Sequence, residues 1–171
     1  MNYIIQEFLD LDSSQQKAII KEKLFELENQ NLYDFLLIIF KNVDYQTKEF
    51  TIKTLAQDTQ KAFEIAELLL KHISKEFINT PKYYGAMILK EIITHTDTNK
   101  SVPLLVSAYD LEDYRDIHWA IAMALATLLN NLDGTEKDYV IHLIKTEINK
   151  KNDIEGSLGT YLQSYTNIKF F

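Results

Sequence analysis

The chain of 171 residues contains no cysteine. That removes disulfides, thiolate metal sites and cysteine nucleophiles together. Only 4 glycines and 2 prolines are present. Sheets and irregular folds need turn residues in quantity, whereas long helices with short connections do not, so the shortage favours helix. Arginine occurs once, as Arg115, against 17 lysines. A nucleic-acid binder carries a basic face with several arginines for phosphate and base contacts, and this composition argues against one. The densest apolar run, Phe35 to Phe40, stops at Lys41, far short of the roughly 20 residues of a membrane span. Glycine-rich phosphate cradles are absent. Gly156-Ser157-Leu158-Gly159 only superficially resembles a nucleophile elbow, because no strand precedes it; it reads as a small-residue patch in the last helix. Residues Met1 to Asp10 lack the basic and apolar regions of a secretory signal, so the expected location is the cytoplasm.

What is present fits one folded domain over residues 1–171. Hydrophobic residues make up 46% and charged residues 25%, the balance of a chain that can bury a core and not of a disordered one. The net charge is −7 and the sequence pI about 5.1. Such a body attracts basic partners and repels phosphate backbones.

Helix-start signals recur along the chain. Ser13-x-x-Gln16 reads as a capping box before Ala18 to Leu27. Asp44 precedes Tyr45 to Gln57, and Asp58-Thr59 precedes Ala62 to Ile73. Thr80-Pro81 pairs a capping hydroxyl with proline at the first helical position. Ser101 opens Val102 to Tyr109. Asp133-Gly134-Thr135 places a glycine where positive φ closes a helix, and Asp153 stands before Ile154 to Tyr165. Between these marks apolar residues recur at spacings of three and four, and the pattern predicts about nine helices and no strand.

One segment stands out. In residues 102–129, Pro103 lies near the start of a first helix, with Leu104, Leu105 and Ala108 as its inner stripe. Asp110-Leu111-Glu112-Asp113 forms an acidic turn. Ile117, Ala120, Ile121, Ala124, Leu125 and Leu128 form the buried face of a second helix, whose alanines permit close approach. This segment resembles one unit of the HEAT-like repeat family. Weaker copies flank it: Leu36, Leu69, Val106 and Leu143 align at spacings of 33, 37 and 37 residues, the range of stacked two-helix repeats. The resemblance implies an all-α fold, a right-handed α-α superhelix (solenoid) of about four helical hairpins. The hairpins cover approximately 31–57, 59–95, 100–130 and 135–165, with a cap at 1–30 and a tail at 166–171. Around residues 80–95 the register is open, because Lys90 and Glu91 fall near positions that call for apolar side chains. The apolar tail Ile168-Lys169-Phe170-Phe171 is expected to dock back on the last repeat.

Chemistry is sparse. His72, His95, His118 and His142 have no ligand-spaced partners, and no metal or other cofactor is expected. Asp110, Glu112, Asp113 and Asp116 are paired carboxylates, which suit acid–base work only in an apolar cleft. Before a second helix they favour the positive end of its dipole. Tyrosine is abundant, at 10 of 171. In the resemblance, second helices line a concave surface. Tyr83 and Tyr84 in one repeat, and Tyr114, His118 and Trp119 in the next, then either fill grooves between repeats or form an aromatic strip for a partner.

These features lead to a non-enzymatic protein-binding module, in its specific form a small bacterial immunity or inhibitor protein that covers a basic toxin, such as a nuclease, without binding nucleic acid or membrane itself. The expected partner-binding residues are Tyr83, Tyr84, Asp110, Glu112, Asp113, Tyr114, Asp116, His118 and Trp119. The alternatives are a DNA glycosylase of HEAT-like build, which lacks here the basic groove such enzymes need, and an assembly adaptor.

Overall fold

The computed structural model describes residues 7–73, 81–111, 115–150 and 155–170. Within them every regular element is helical. After a helical turn at residues 7–9 come α1 (Ser13–Glu26), α2 (Asn29–Asn42), α3 (Tyr45–Leu55), α4 (Thr59–Ile73) and α5 (Pro81–Ile92). A 3-10 turn (Ile93–His95) leads into α6 (Thr98–Leu111), α7 (Arg115–Asn130), α8 (Gly134–Asn149) and α9 (Glu155–Thr166). None is long and apolar enough to cross a membrane among the described residues.

Local chemistry sets four of the starts, at Asp12, Asp44, Asp58 and Asp97. The Asp44 carboxylate accepts from the Thr47 backbone N–H at 2.8 Å, and that of Asp58 accepts from Lys61 N–H at 2.9 Å; each satisfies a donor that the first turn leaves without an intrahelical partner. The first capping box lies one residue before the expected Ser13-x-x-Gln16. Asp12 accepts from Gln15 N–H at 2.9 Å, and Gln15 Oε1 accepts from Asp12 N–H at 3.1 Å. Ser13 and Gln16 are released for tertiary work: Ser13 Oγ meets Thr47 Oγ1 at 3.2 Å, and buried Gln16 donates to the Phe8 carbonyl at 3.2 Å. Ser101 does not open α6 either. Asp97 does, accepting from Asn99 N–H through its carboxylate and from Ser101 N–H through its carbonyl, so that Ser101 and Pro103 both fall inside the helix. Gly134 takes the anticipated positive φ of 54°, but as the opening residue of α8 instead of the closing one of α7. Thr80 and Asp153 lie outside the described residues.

Packing follows one rule along the chain: each helix touches the next but one. The odd-numbered helices form a row, α1 on α3, α3 on α5, α5 on α7 and α7 on α9, and the even-numbered ones a second row, α2 on α4, α4 on α6 and α6 on α8. The rows are joined by contacts such as α2 with α3, α4 with α5 and α6 with α7. Helix α7 is covered from both rows, by α5, α6, α8 and α9. Its composition matches. Ala120, Ile121, Ala122, Ala124, Leu125, Ala126, Leu128 and Leu129 are all buried, and a helix apolar nearly all round is one enclosed on several sides.

On α6 the buried stripe is Val102, Leu105, Val106 and Tyr109, while Leu104 and Ala108 flank it half-buried. Those four positions follow the i, i+3, i+4, i+7 spacing of one helical face, which the expected trio did not. Around Lys90 the register is now set. Ile88, Leu89, Ile92 and Ile93 are buried, whereas Lys90 and Glu91 stay at the edge and pair at 3.4 Å. Helix α3 buries a polar stripe, Thr47, Thr51 and Thr54, against α1. Thr51 and Thr54 donate to carbonyls four residues back, both at 2.8 Å, so these hydroxyls enter the interior already satisfied. At the C-terminus Asn167 adopts φ 59°, a left-handed turn that ends α9. Phe170 then folds back into the core with 2% exposure, and Ile168 packs beside it.

Candidate functional site

Of the residues singled out by sequence, those the structure describes lie on α5, near the end of α6 and at the start of α7. Tyr84, in the first turn of α5, is half-buried and packs on the core. Trp119 in α7 is half-buried, directly before the fully buried Ala120 and Ile121. His118 sits next to it, half-buried, with its ring flat on that of Tyr109 from α6: the centroids are 3.9 Å apart and the planes 13° from parallel. His118 Nε2 also lies 3.0 Å from the Tyr109 carbonyl oxygen. That carbonyl is close to the end of α6, where helix carbonyls lack intrahelical donors. The imidazole therefore joins the end of α6 to the start of α7.

Tyr83, Asp110 and Asp116 fall within α5, α6 and α7, with side chains outside the described set; Glu112, Asp113 and Tyr114 lie outside the described residues altogether. Since α5 packs directly on α7, Tyr84 and Trp119 belong to adjacent helices of the odd row. The next helix of that row, α9, carries a third half-buried aromatic, Tyr161, also packed against the core. Sequence reasoning missed Tyr161. The repeat spacing gave no signal for it: at the 37 residues that separate Val106 and Leu143, Tyr161 falls opposite Ala124, and Trp119 opposite Gly156.

A second histidine repeats the stacking motif elsewhere. His72 of α4 lies on the ring of fully buried Tyr33 of α2, with centroids 4.2 Å apart and planes 13° from parallel. Stacking against a buried ring contributes about 0.5–1.5 kcal/mol beyond area burial, so both imidazoles have structural work in the fold. His95 is half-buried and His142 exposed. Among the described residues no group of three or more His, Asp or Glu side chains is placed to hold a metal ion.

The arrangement defines an all-α protein with an acidic composition and, among the described residues, one half-buried Tyr or Trp on each of α5, α7 and α9. No protein-family model, curated protein or solved structure matches the chain.

Proposed function

We propose that the chain is a HEAT-like solenoid of four hairpins, a right-handed superhelix capped by residues 1–30, which binds a basic protein partner through its odd-numbered helices. The observation that carries this reading is the series Tyr84, Trp119 and Tyr161, one half-buried aromatic on each of three successively packed helices. Aromatic residues held partly open on a rigid helical framework are the usual anchors of protein interfaces, since they offer large contact area at low entropic cost. The net charge of −7 supplies the second half of the argument, drawing in a cationic surface and speeding encounter. The acidic residues Asp110, Glu112, Asp113 and Asp116 belong to the same proposed surface, together with Tyr83, Tyr114 and His118. In its specific form the proposal is an immunity or inhibitor protein that shields a toxin, acting without catalysis, cofactor or nucleic acid.

The test is co-purification with the product of the gene immediately upstream, followed by titration at increasing salt. The proposal expects a basic partner, an affinity that falls with salt, and at least a tenfold loss for Trp119→Ala with the fold retained. A basic partner bound equally well by Trp119→Ala, or the absence of any such partner, overturns it. A gel shift on duplex DNA at low salt would move the reading to a DNA-processing enzyme instead.

A further inference from the structure

At the other end of the chain, residues 7–11 cross the α1–α2 pair and leave an open groove of about 920 Å³. Its floor is apolar. Leu11, Ile19, Phe35 and Ile38 line it half-buried, and Phe35 is held edge-on by the buried ring of Phe8 at 5.5 Å. The groove thus has a fixed wall and retains apolar surface that water still reaches.

Among the described residues its rim is acidic on balance, with Glu7, Asp10 and Glu22 beside one cation, Lys23. Lys23 is already engaged, to Glu22 at 2.9 Å and to Glu26 at 2.6 Å. Its ammonium is held charged above the ordinary lysine range, first by the hydrogen bond to Glu26 and then by that to Glu22. Lys23 offsets part of this acidity, and the described lining keeps more carboxylates than cations.

An apolar floor under an acidic rim selects its occupant. A small apolar molecule gains most from a closed cavity, and this groove is open along one side. An acidic or neutral segment finds no charge complement. An amphipathic helix with lysine or arginine beside its apolar stripe satisfies both walls, burying one face and leaving the other in water. We infer that the α1–α2 groove docks a basic amphipathic helix of a partner protein, a site separate from the aromatic series on α5, α7 and α9. The inference shares with the proposed function only the basic character of the partner.

The experiment uses the full chain and a fluorescein-labelled peptide of 18 residues, with leucine at i, i+3, i+4 and i+7 spacing and lysine elsewhere. A companion peptide replaces every lysine with glutamate. Anisotropy is expected to show saturable one-to-one binding of the lysine peptide and none of the glutamate peptide. Ile19→Asp on the groove floor and Glu22→Lys on the exposed rim, both checked for retained helicity, are each expected to weaken binding at least tenfold, while Trp119→Ala leaves it unchanged. Several outcomes overturn the inference: no binding of the lysine peptide, equal binding to Ile19→Asp, or equal binding to Glu22→Lys. So does sedimentation showing a dimer that Ile19→Asp dissociates, which assigns the groove to a second copy of the chain. Tighter binding after Ile4→Asp and Ile5→Asp also overturns it, by assigning the groove to residues 1–6. Loss of binding with Trp119→Ala alone would place the peptide on the aromatic series and separate the two readings.

Discussion

The imidazole of His118 lies flat on the ring of Tyr109 and reaches the same residue's carbonyl oxygen at 3.0 Å. One side chain thus contacts both the ring and the backbone at the end of α6, and ties it to the start of α7. Replacing His118 with alanine removes a stacking contact and a hydrogen bond, and leaves Tyr109 uncovered on that side. The expected loss is about 1–2 kcal/mol, within the range of one aromatic pair plus one neutral hydrogen bond. Urea denaturation of the two proteins checks it. A midpoint unchanged in His118→Ala would mean that the α6–α7 joint does not depend on this stack.

Ala124 is fully buried in α7, the helix enclosed by four neighbours. Glutamate there must place a larger, charged side chain at a fully buried position between packed helices. The expected cost is at least about 3 kcal/mol, from the buried charge alone. Circular dichroism should show lost helicity or a much lower melting temperature. A variant as helical and heat-resistant as the parent would show that α7 does not face its neighbours through this side.

Asp44 caps α3, and its carboxyl is held below the ordinary aspartate range, first by the hydrogen bond from the Thr47 backbone N–H. The folded pKa is depressed, so the charged cap stabilises the fold at pH values above the unfolded pKa of about 3.9. That contribution fades as pH falls through the lower folded value. Asp44→Asn keeps a capping oxygen but removes the charge. The stability gap between the two proteins should be present at pH 6 and shrink progressively as pH falls below about 4. A gap of constant size throughout that acid range would show that the charge is not its source.

Phe170 is buried at the chain terminus because Asn167 turns the backbone after α9. Truncating Phe170 to alanine should cost about 3 kcal/mol or more, as for a buried phenylalanine. Hydrogen exchange should then rise first in α9, the helix that this tail follows in the chain. Unchanged protection of α9 would mean that the tail adds nothing to the last helix.

The all-helical class was legible from sequence because its causes are local. Few glycines and prolines, apolar residues at three-and-four spacing, and aspartates placed to cap a first turn all act within about four residues of one another. The caps at Asp44 and Asp58 and the buried face from Ala120 to Leu128 follow from such short-range rules. Tyr84 and Trp119 were also legible as members of a neighbouring pair of helices, through the repeat spacing.

Tertiary structure alone decided the rest. Helix α6 carries apolar residues on more than one side, and only its contacts with α4, α7 and α8 select Val102, Leu105, Val106 and Tyr109 as the inner face. Ser13 and Gln16 looked like a cap until partners from α3 and from residue 8 claimed them, leaving the box to Asp12 and Gln15. The threonine stripe of α3 is polar by composition and buried by position, a choice open only because its hydroxyls close on their own helix. The stack of His118 on Tyr109 and the groove between α1 and α2 arise where separate elements meet. A residue's helical propensity is written in its neighbours along the chain, but which of its faces is buried depends on elements that the chain brings beside it only on folding.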